Sequence, residues 1–144
     1  MTGKYILLDT DVLSFLLRGD PQAKPYARSI VGSFPVITFQ TRAELLRWPL
    51  ERHWGKGREA KMRQHLQSYP VIESGPELGQ KWAELRAVGR QLGRTVGDGD
   101  IWIAAAALVY GIPLATHNRR HFSWMVDLGL KLVCHAPPLN SLDP

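Results

Sequence analysis

The sequence KYILLD at Lys4–Asp9 decides the fold, because it is a short apolar run that ends in a carboxylate. Such a run is typical of a strand buried on both faces of a parallel sheet. The next apolar segment, residues 12–18, has helical spacing and is followed by Gly19, a residue type that commonly ends helices. A buried strand followed directly by a helix predicts an α/β fold.

The rest of the chain repeats this alternation. Thr41 is predicted to cap a helix with Glu44 as its partner three residues later, and Pro49 is predicted to break or kink that helix. Strands separated by helices predict one parallel sheet of about five strands with helices on both faces. The length of 144 residues predicts a single domain over residues 1–144. Further strands are predicted at residues 35–39, 69–73, 114–116 and 130–134, and further helices at residues 41–48, 58–67, 77–92 and 100–110.

Charge and cysteine content narrow the functional classes. The chain has 18 Lys and Arg against 13 Asp and Glu, and twelve of the basic residues are arginine. The guanidinium fork suits phosphate, so a nucleic acid is the expected partner. Cys134 is the only cysteine, which excludes an internal disulfide, and the N-terminus lacks a signal-peptide pattern. We therefore expect a cytoplasmic protein. The longest apolar stretch, residues 101–115, is too short to span a bilayer.

Acidic residues stand where predicted strands and helices meet. Asp9 follows the first strand, Glu44 lies one turn into the helix after the second, and Asp100 directly precedes the most apolar helix. The carboxyl ends of parallel strands form the ligand crevice of such a sheet. Each acid alone could instead be a helix cap or a surface residue. Asp11 fits a capping role better than Asp9, and either Asp98 or Asp100 is expected to cap the apolar helix.

Taken together, the acids predict a metal site. Clustered carboxylates repel one another and resist ionisation unless a cation neutralises them. Oxygen ligands with few histidines or thiols select Mg²⁺ or Mn²⁺, and these ions serve phosphodiester hydrolysis. The sequence therefore predicts a nuclease in which arginines hold the nucleic-acid backbone and carboxylates hold the metal.

The chain resembles the PIN-domain family, in particular the VapC-type toxins of bacterial and archaeal toxin–antitoxin pairs. The resemblance implies a three-layer sandwich with strand order 3-2-1-4-5, and a Mg²⁺- or Mn²⁺-dependent endoribonuclease that leaves a 3′-hydroxyl and a 5′-phosphate. It further implies a homodimer and a small DNA-binding antitoxin whose tail places a basic residue among the acids. Four stretches carry the resemblance: LLDTD at 7–11, TRAELL at 41–46, GDGDIWIAA at 97–105 and THNRRHF at 116–122.

The resemblance also implies roles for individual residues. Asp9, Glu44 and Asp100 match the family's first, second and third acids. Asp9 and Asp100 are then expected to ligate the metal directly, and Glu44 to hold water at the metal or act as a general base. Asp98 matches a position that is often acidic but less central. Thr116 matches a hydroxyl that commonly orients water at the metal.

The last motif departs from the family pattern. It usually supplies a fourth acid, either where Asn118 stands or where His121 stands, and neither residue is acidic. Asn118 can still offer one oxygen. We therefore expect one tightly bound metal, with a second ion arriving with substrate if at all. Asp11 and His121 are secondary candidates for the metal site, as is Asp98.

Basic and aromatic residues near these motifs are candidates for contacts with RNA. Trp48 and Trp54 have two open interpretations, stacking on bases or packing in the core or a dimer interface. The candidate phosphate contacts are Arg42, Arg47, Arg119 and Arg120.

Two other functions remain open. The sequence Asp9-Thr10-Asp11 after an apolar strand also resembles the nucleophile motif of haloacid-dehalogenase-like phosphatases, in which Asp9 would become phosphorylated. Against this, Val12 follows Asp11 where glycine is expected, and no well-placed lysine motif follows. The absent fourth acid also fits a catalytically weak PIN-like protein that acts as a nucleic-acid-binding or regulatory partner.

Overall fold

The structure is a computed structural model that describes residues 4–138. In this part of the chain, short strands alternate with one or two helices, and a six-residue 3₁₀ helix at Ser123–Leu128 precedes the last strand. The elements in chain order are β1 Lys4–Leu8, α1 Thr10–Arg18, α2 Ala23–Ile30, β2 Ser33–Thr38, α3 Phe39–Arg52, α4 Lys56–Leu66, β3 Val71–Ile72, α5 Pro76–Gln91, α6 Asp98–Tyr110, β4 Leu114–Ala115, α7 Arg119–Phe122 and β5 Leu132–Val133.

The strands form one parallel sheet of order β3-β2-β1-β4-β5, which confirms the predicted order. β1 lies at the centre, where Leu7 is opposite Val36 on one side and Leu114 on the other. A central strand with helix-bearing crossovers on both sides places the carboxyl ends of β1, β2 and β4 at one edge of the sheet.

Two apolar clusters flank the sheet, as expected for a three-layer sandwich. Leu7 packs in the cluster formed mainly with α5 and α6. Its neighbours Ile6 and Leu8 point the opposite way and pack with α1, α2, α3 and α4. This follows from the alternation of side chains along a strand. Because both faces of β1 are covered, the continuous apolar run of the sequence is explained.

The structure corrects several local predictions. The N-cap of α3 is Thr38, whose Oγ1 accepts a hydrogen bond from the Thr41 amide at 3.2 Å, so the predicted cap at Thr41 was wrong. Pro49 does not end α3, which continues to Arg52 before His53 adopts a left-handed conformation. The cap of α6 is Gly97, so neither Asp98 nor Asp100 caps it and both lie in its first turn.

Two of the α-helices escaped prediction, α2 and the four-residue α7. α2 has only eight residues, contains Pro25 and buries only Ala23 and Tyr26, so its sequence carries little helical periodicity. The predicted strands at 69–73 and 130–134 shrink to two residues each. Within residues 4–138, no helix combines the length and the apolar character needed to cross a membrane.

Candidate active site

Asp9 and Thr116 meet where the two central strands end. The Asp9 amide donates to the Ala115 carbonyl at 2.9 Å, which continues the pairing of β1 with β4 by one step. The Thr116 hydroxyl then donates to Asp9 Oδ2 at 2.7 Å. Asp9 Oδ1 accepts from the Thr10 amide at 2.7 Å, and Asp9 is the N-cap of α1. Strand pairing and helix start therefore fix this buried carboxylate from both sides.

Asp11 joins the start of α1 to the chain after β4. Its Oδ1 accepts from the Val12 amide at 2.7 Å, and its Oδ2 accepts from the His117 amide at 3.0 Å. The expectation that Asp11 rather than Asp9 would be the capping residue was wrong, since Asp9 occupies the N-cap position. Asp11 instead connects α1 to residues 116–118, the stretch after β4 that we call the strand-end segment.

Tyr26 supports the same strand-end segment from the side of α2. Its fully buried hydroxyl lies 3.0 Å from the Thr116 carbonyl and 2.7 Å from His117 Nδ1, and it accepts from the His135 amide at 2.9 Å. Burial of the ring raises the pKa of its hydroxyl, so Tyr26 stays neutral. One side chain thus connects the segments that follow β4 and β5.

The first turns of α3 bring Glu44 next to Thr10, close to the start of α1. Its carboxylate accepts hydrogen bonds from the Thr10 hydroxyl and, at 3.1 Å, from the Gln40 amide. The contact with Gly99 is close as well, because a Cβ added to Gly99 would lie 2.8 Å from Gln40 Nε2 and 3.2 Å from Glu44 Oε1. The absence of a side chain at Gly99 therefore lets α6 approach α3 next to Glu44.

Asp100 faces the cluster from the first turn of α6. Its Oδ2 lies 2.5 Å from His121 Nδ1, and the Asn118 side-chain amide contacts the same ring nitrogen at 2.8 Å. The Asp100 carboxyl group and the Asn118 side-chain amide therefore meet at one ring nitrogen of His121. The two residues that replace the expected fourth acid are therefore next to Asp100.

Asp9, Asp11 and Asp100 have raised pKa values, mainly because they are buried. Burial is the main cause that raises the pKa of Asp9 well above its ordinary range, and the charges of Asp11 and Asp100 add to it. Burial also raises the pKa of Asp11. For Asp100, burial raises the pKa and the contact with His121 opposes the shift, while Glu44 adds to it. Buried carboxyl groups with raised pKa values, close to further carboxylates, form a site that a cation would stabilise.

These carboxylates line one open cleft of about 430 Å³, which we call the acid cleft. Asp9, Asp11, Glu44 and Asp100 all contribute to its wall, together with Asn118. The lining also includes basic and aromatic residues, namely Arg18, Arg47, Trp48 and Arg52. A negative floor beside a positive wall can hold a cation and an anionic ligand at once.

The donor set fits Mg²⁺ or Mn²⁺ bound partly through water. Across residues 4–138, no three His, Cys, Asp or Glu side chains lie close enough together to bind one ion directly. Glu44 is held by Thr10 and Gln40. Mg²⁺ in proteins usually keeps several waters and takes only one or two carboxylates, so a three-carboxylate cage is not required.

Several predicted residues do not reach the acid cleft. Asp98 is largely exposed and pairs with Arg86. Arg42 pairs with Glu73 at 3.0 Å beside a different cleft. Arg119 donates to the carbonyls of Cys134 and Ala136, which makes it a structural residue. Arg120 is exposed.

Thr116 lies in the cluster but not on the cleft wall. It is fully buried, donates to Asp9 and accepts from the Asn118 amide at 3.1 Å. It therefore orients Asp9, whereas the expectation was contact with water or phosphate.

Sequence reasoning missed five residues that line the cleft, which are Thr10, Ser14, Phe15, Arg18 and Arg52. Thr10 binds Glu44 and stands between Asp9 and Asp11, a position that would have drawn attention to it. Arg18 and Arg52 end α1 and α3, and they reach the cleft because the ends of these helices lie beside it.

Comparison with known proteins gives relatives of one kind. Ribonuclease VapC1 of Haemophilus influenzae is 23% identical over 124 residues, which is 85% of this chain and 92% of that protein. Among solved structures, VapBC2 from Rickettsia felis bound to a promoter DNA fragment matches with a TM-score of 0.79 at 20% identity, over 90% of this chain and 98% of that one. VapBC-1 from nontypeable Haemophilus influenzae matches with a TM-score of 0.78 at 22% identity, over 90% and 97%.

At these identities the solved structures establish the fold alone. The family model for the PIN domain matches residues 6–125, a range that begins in β1 and includes every residue of the acid cleft. With a match over most of its length, the sheet order of the three-layer sandwich and four acids in one cleft, the chain belongs to the PIN domain family.

Proposed function

We propose that this protein is a Mg²⁺- or Mn²⁺-dependent endoribonuclease and the toxin of a toxin–antitoxin pair. The observation that carries the proposal is the acid cleft, which is lined by Asp9, Glu44 and Asp100 together with three arginines. The names of the relatives, a ribonuclease VapC1 and a toxin–antitoxin complex from Klebsiella pneumoniae, support the same activity and the same kind of partner.

Each residue of the cleft has a task in this proposal. Asp9 and Asp100 hold the ion, and Glu44 holds or deprotonates the attacking water. The bound ion would supply activation of that water and stabilisation of charge on the leaving oxygen. Water adds to phosphorus while the bond from phosphorus to O3′ breaks, which leaves a 3′-hydroxyl and a 5′-phosphate. Arg47 and Arg52 lie where they can neutralise the phosphate.

His121 and Asn118 make one tightly held ion the expected state. An amide and an imidazole add no negative charge beside Asp100, so the site offers less to a second cation than four acids would. The same observation favours the second candidate function, a catalytically weak PIN protein that acts in nucleic-acid binding or regulation. The PIN assignment leaves the phosphatase alternative without support.

The partners follow from the same proposal. We expect an RNA substrate, a homodimer and a DNA-binding antitoxin with a basic residue that enters the acid cleft, where it would meet the carboxylates that otherwise hold the ion. Two of the solved relatives are VapBC proteins described as bound to DNA, in one case to a fragment of their promoter, which supports an antitoxin of this type. A single domain and a cytoplasmic location stay predictions.

Expression without the antitoxin tests the activity. We expect new RNA 5′ ends in cells that express the wild-type chain, and metal-dependent cleavage by the purified protein in Mn²⁺ that EDTA stops. Asp9→Asn is the matched control, because it keeps the size of the side chain and removes the charge. Purified protein that binds operator DNA with its partner but never cuts RNA in Mn²⁺ would favour the regulatory function. A phosphorylated Asp9 trapped during turnover of a phosphate ester would restore the phosphatase.

A further inference from the structure

A second cleft lies directly beside the acid cleft. It has a volume of about 250 Å³ and lies between α1, the end of α3 and α4, with Leu17 and Met62 as apolar lining. Four residues, Ser14, Arg18, Trp48 and Arg52, line both clefts, so the two form one continuous depression. We call this neighbouring space the cationic cleft. A ligand that crosses the acid cleft towards α4 must enter it.

The charge of the cationic cleft is one-sided. Of its ten lining residues, all in the described part of the chain, five are Arg, Lys or His and none is Asp or Glu. Arg18 and Arg52 come from its shared wall, and Arg58, Lys61 and His65 come from α4. All five are exposed, so their charges meet solvent and any ligand. This cleft therefore selects an anion, whereas the adjoining acid cleft selects a cation.

Aromatic rings hold two of the arginines in place. The Arg52 guanidinium lies 4.5 Å from the centre of the Trp48 ring, and the Arg58 guanidinium lies 3.8 Å from the centre of the Trp54 ring. Both indoles are half-buried and also pack against the core. A stacked pair of indole and guanidinium offers a flat surface and phosphate donors together. Unstacked bases of single-stranded RNA bind such surfaces.

We infer that the cationic cleft binds one nucleotide of single-stranded RNA next to the cleaved bond, with the base on the Trp54–Arg58 stack and the phosphate among the arginines. The inference rests on the proposed ribonuclease function for its substrate, but the binding it describes needs no metal. An RNA strand fits better than a protein segment because the cleft combines flat aromatic faces with five basic side chains and no acid.

Binding in EDTA tests this inference separately from cleavage. The probes are a fluorescently labelled eight-nucleotide RNA and an abasic strand of the same length, and fluorescence anisotropy gives both affinities over a range of salt. Arg58→Gln should weaken both probes and lower the slope of log affinity against log salt by about 0.7, the value for one phosphate contact on a single strand. The control Arg90→Gln removes the same charge from α5 and should leave both affinities unchanged.

The base contact is read from the preference for RNA over the abasic strand. Trp54→Leu should lower the affinity for RNA by about five- to a hundredfold, the range for one stacked base, and change abasic binding little. Equal losses from Arg58→Gln and Arg90→Gln, or an unchanged RNA preference in Trp54→Leu, would overturn the inference. If Trp54→Leu does not fold, Arg58→Gln decides, since Arg58 is exposed. Wild-type protein that binds RNA as expected but never cuts it in Mn²⁺ contradicts the proposed function and not this site.

Discussion

The acid cleft and the cationic cleft share a wall but are built in opposite ways. The acid cleft collects side chains from four segments far apart in sequence, at the ends of β1 and β4 and the starts of α3 and α6. The cationic cleft is formed by α1, the end of α3 and α4, and most of its charge comes from residues 52–65. The acids lie at the end of β1 and in the first turns of helices, whereas the basic residues of the cationic cleft lie towards helix ends and along α4.

This difference explains why the sequence predicted one cleft and not the other. The carboxyl ends of parallel strands meet at one edge by topology, so a carboxylate after β1 has a position as soon as the sheet order is known. The exposed side of α4 has no such constraint. Its basic residues become a binding surface only because Trp54 and α1 lie beside them.

Loss of one charge in the acid cleft should have the largest effect. Asp100→Asn should reduce RNA cleavage by about a thousandfold or more, because it removes charge where the ion is held. The metal-free variant should be at least as stable as wild type, since burial raises the pKa of Asp100 and an amide carries no charge to bury. Cleavage assays and thermal melts in EDTA measure the two effects. A variant that unfolds would make Asp100 a structural residue.

Metal should stabilise the acid cleft and leave the cationic cleft unaffected. At a free Mg²⁺ or Mn²⁺ concentration about a hundredfold above the Kd, an ion that binds only the folded state adds about 2.7 kcal/mol to the free energy of unfolding. Calorimetric scans with and without metal would show this as a higher Tm. Arg58→Gln should keep the full shift and Asp9→Asn should lose most of it. A wild-type Tm that does not respond to either ion would contradict the metal site.

The support behind the strand-end segment can be tested at Tyr26. Tyr26→Phe should lower the free energy of unfolding by about 1–3 kcal/mol, because it removes the buried hydroxyl that bonds to the chain after β4 and β5. Urea unfolding provides the measurement. Tyr69→Phe is the control, since the Tyr69 hydroxyl bonds only to exposed His65 in the described part of the chain, and its loss should cost less than about 0.5 kcal/mol. Equal costs would show that Tyr26 has no special supporting role.

The smallest expected effect is a pH dependence of metal-free stability. Asp9, Asp11 and Asp100 have raised pKa values, so the folded protein binds their protons more tightly than the unfolded chain. Their contribution to stability is complete below the ordinary carboxyl pKa of about 3.9 and is lost as the pH rises through the raised values. The Tm in EDTA should therefore fall more steeply with pH for wild type than for Asp9→Asn. Parallel curves would contradict the raised pKa of Asp9.

The strands and the three principal acids could be predicted because buried strands and strand-end carboxylates leave a pattern in the sequence. Asp9, Glu44 and Asp100 do line one cleft. The capping residue of α3 could not be chosen in this way, since Thr38 and Thr41 have the same chemistry and only the strand length separates them. Asp98 and Asp100 likewise point in different directions from α6, and the direction of Asp98 brings it next to Arg86.

The basic residues were predicted least well. Arg42, Arg47 and Arg119 are the same type of residue, and the sequence does not distinguish them. Only Arg47 of the three reaches the acid cleft, because tertiary packing sets the direction in which each side chain points. Long side chains at the surface can end in several places from the same backbone position. The identity of a phosphate contact therefore depends on coordinates in a way that the identity of a strand-end acid does not.

Gly99 sets how closely α6 can approach α3 beside Glu44. Any larger residue there would displace the Gln40 amide and release one of the hydrogen bonds that hold Glu44. The distance between the Glu44 carboxylate on α3 and the Asp100 carboxylate on α6 thus depends on Gly99, a residue that has no side chain. A methyl group at position 99 would force α3 and α6 apart beside Glu44. The fit of a bound ion would then change although no carboxylate had been replaced.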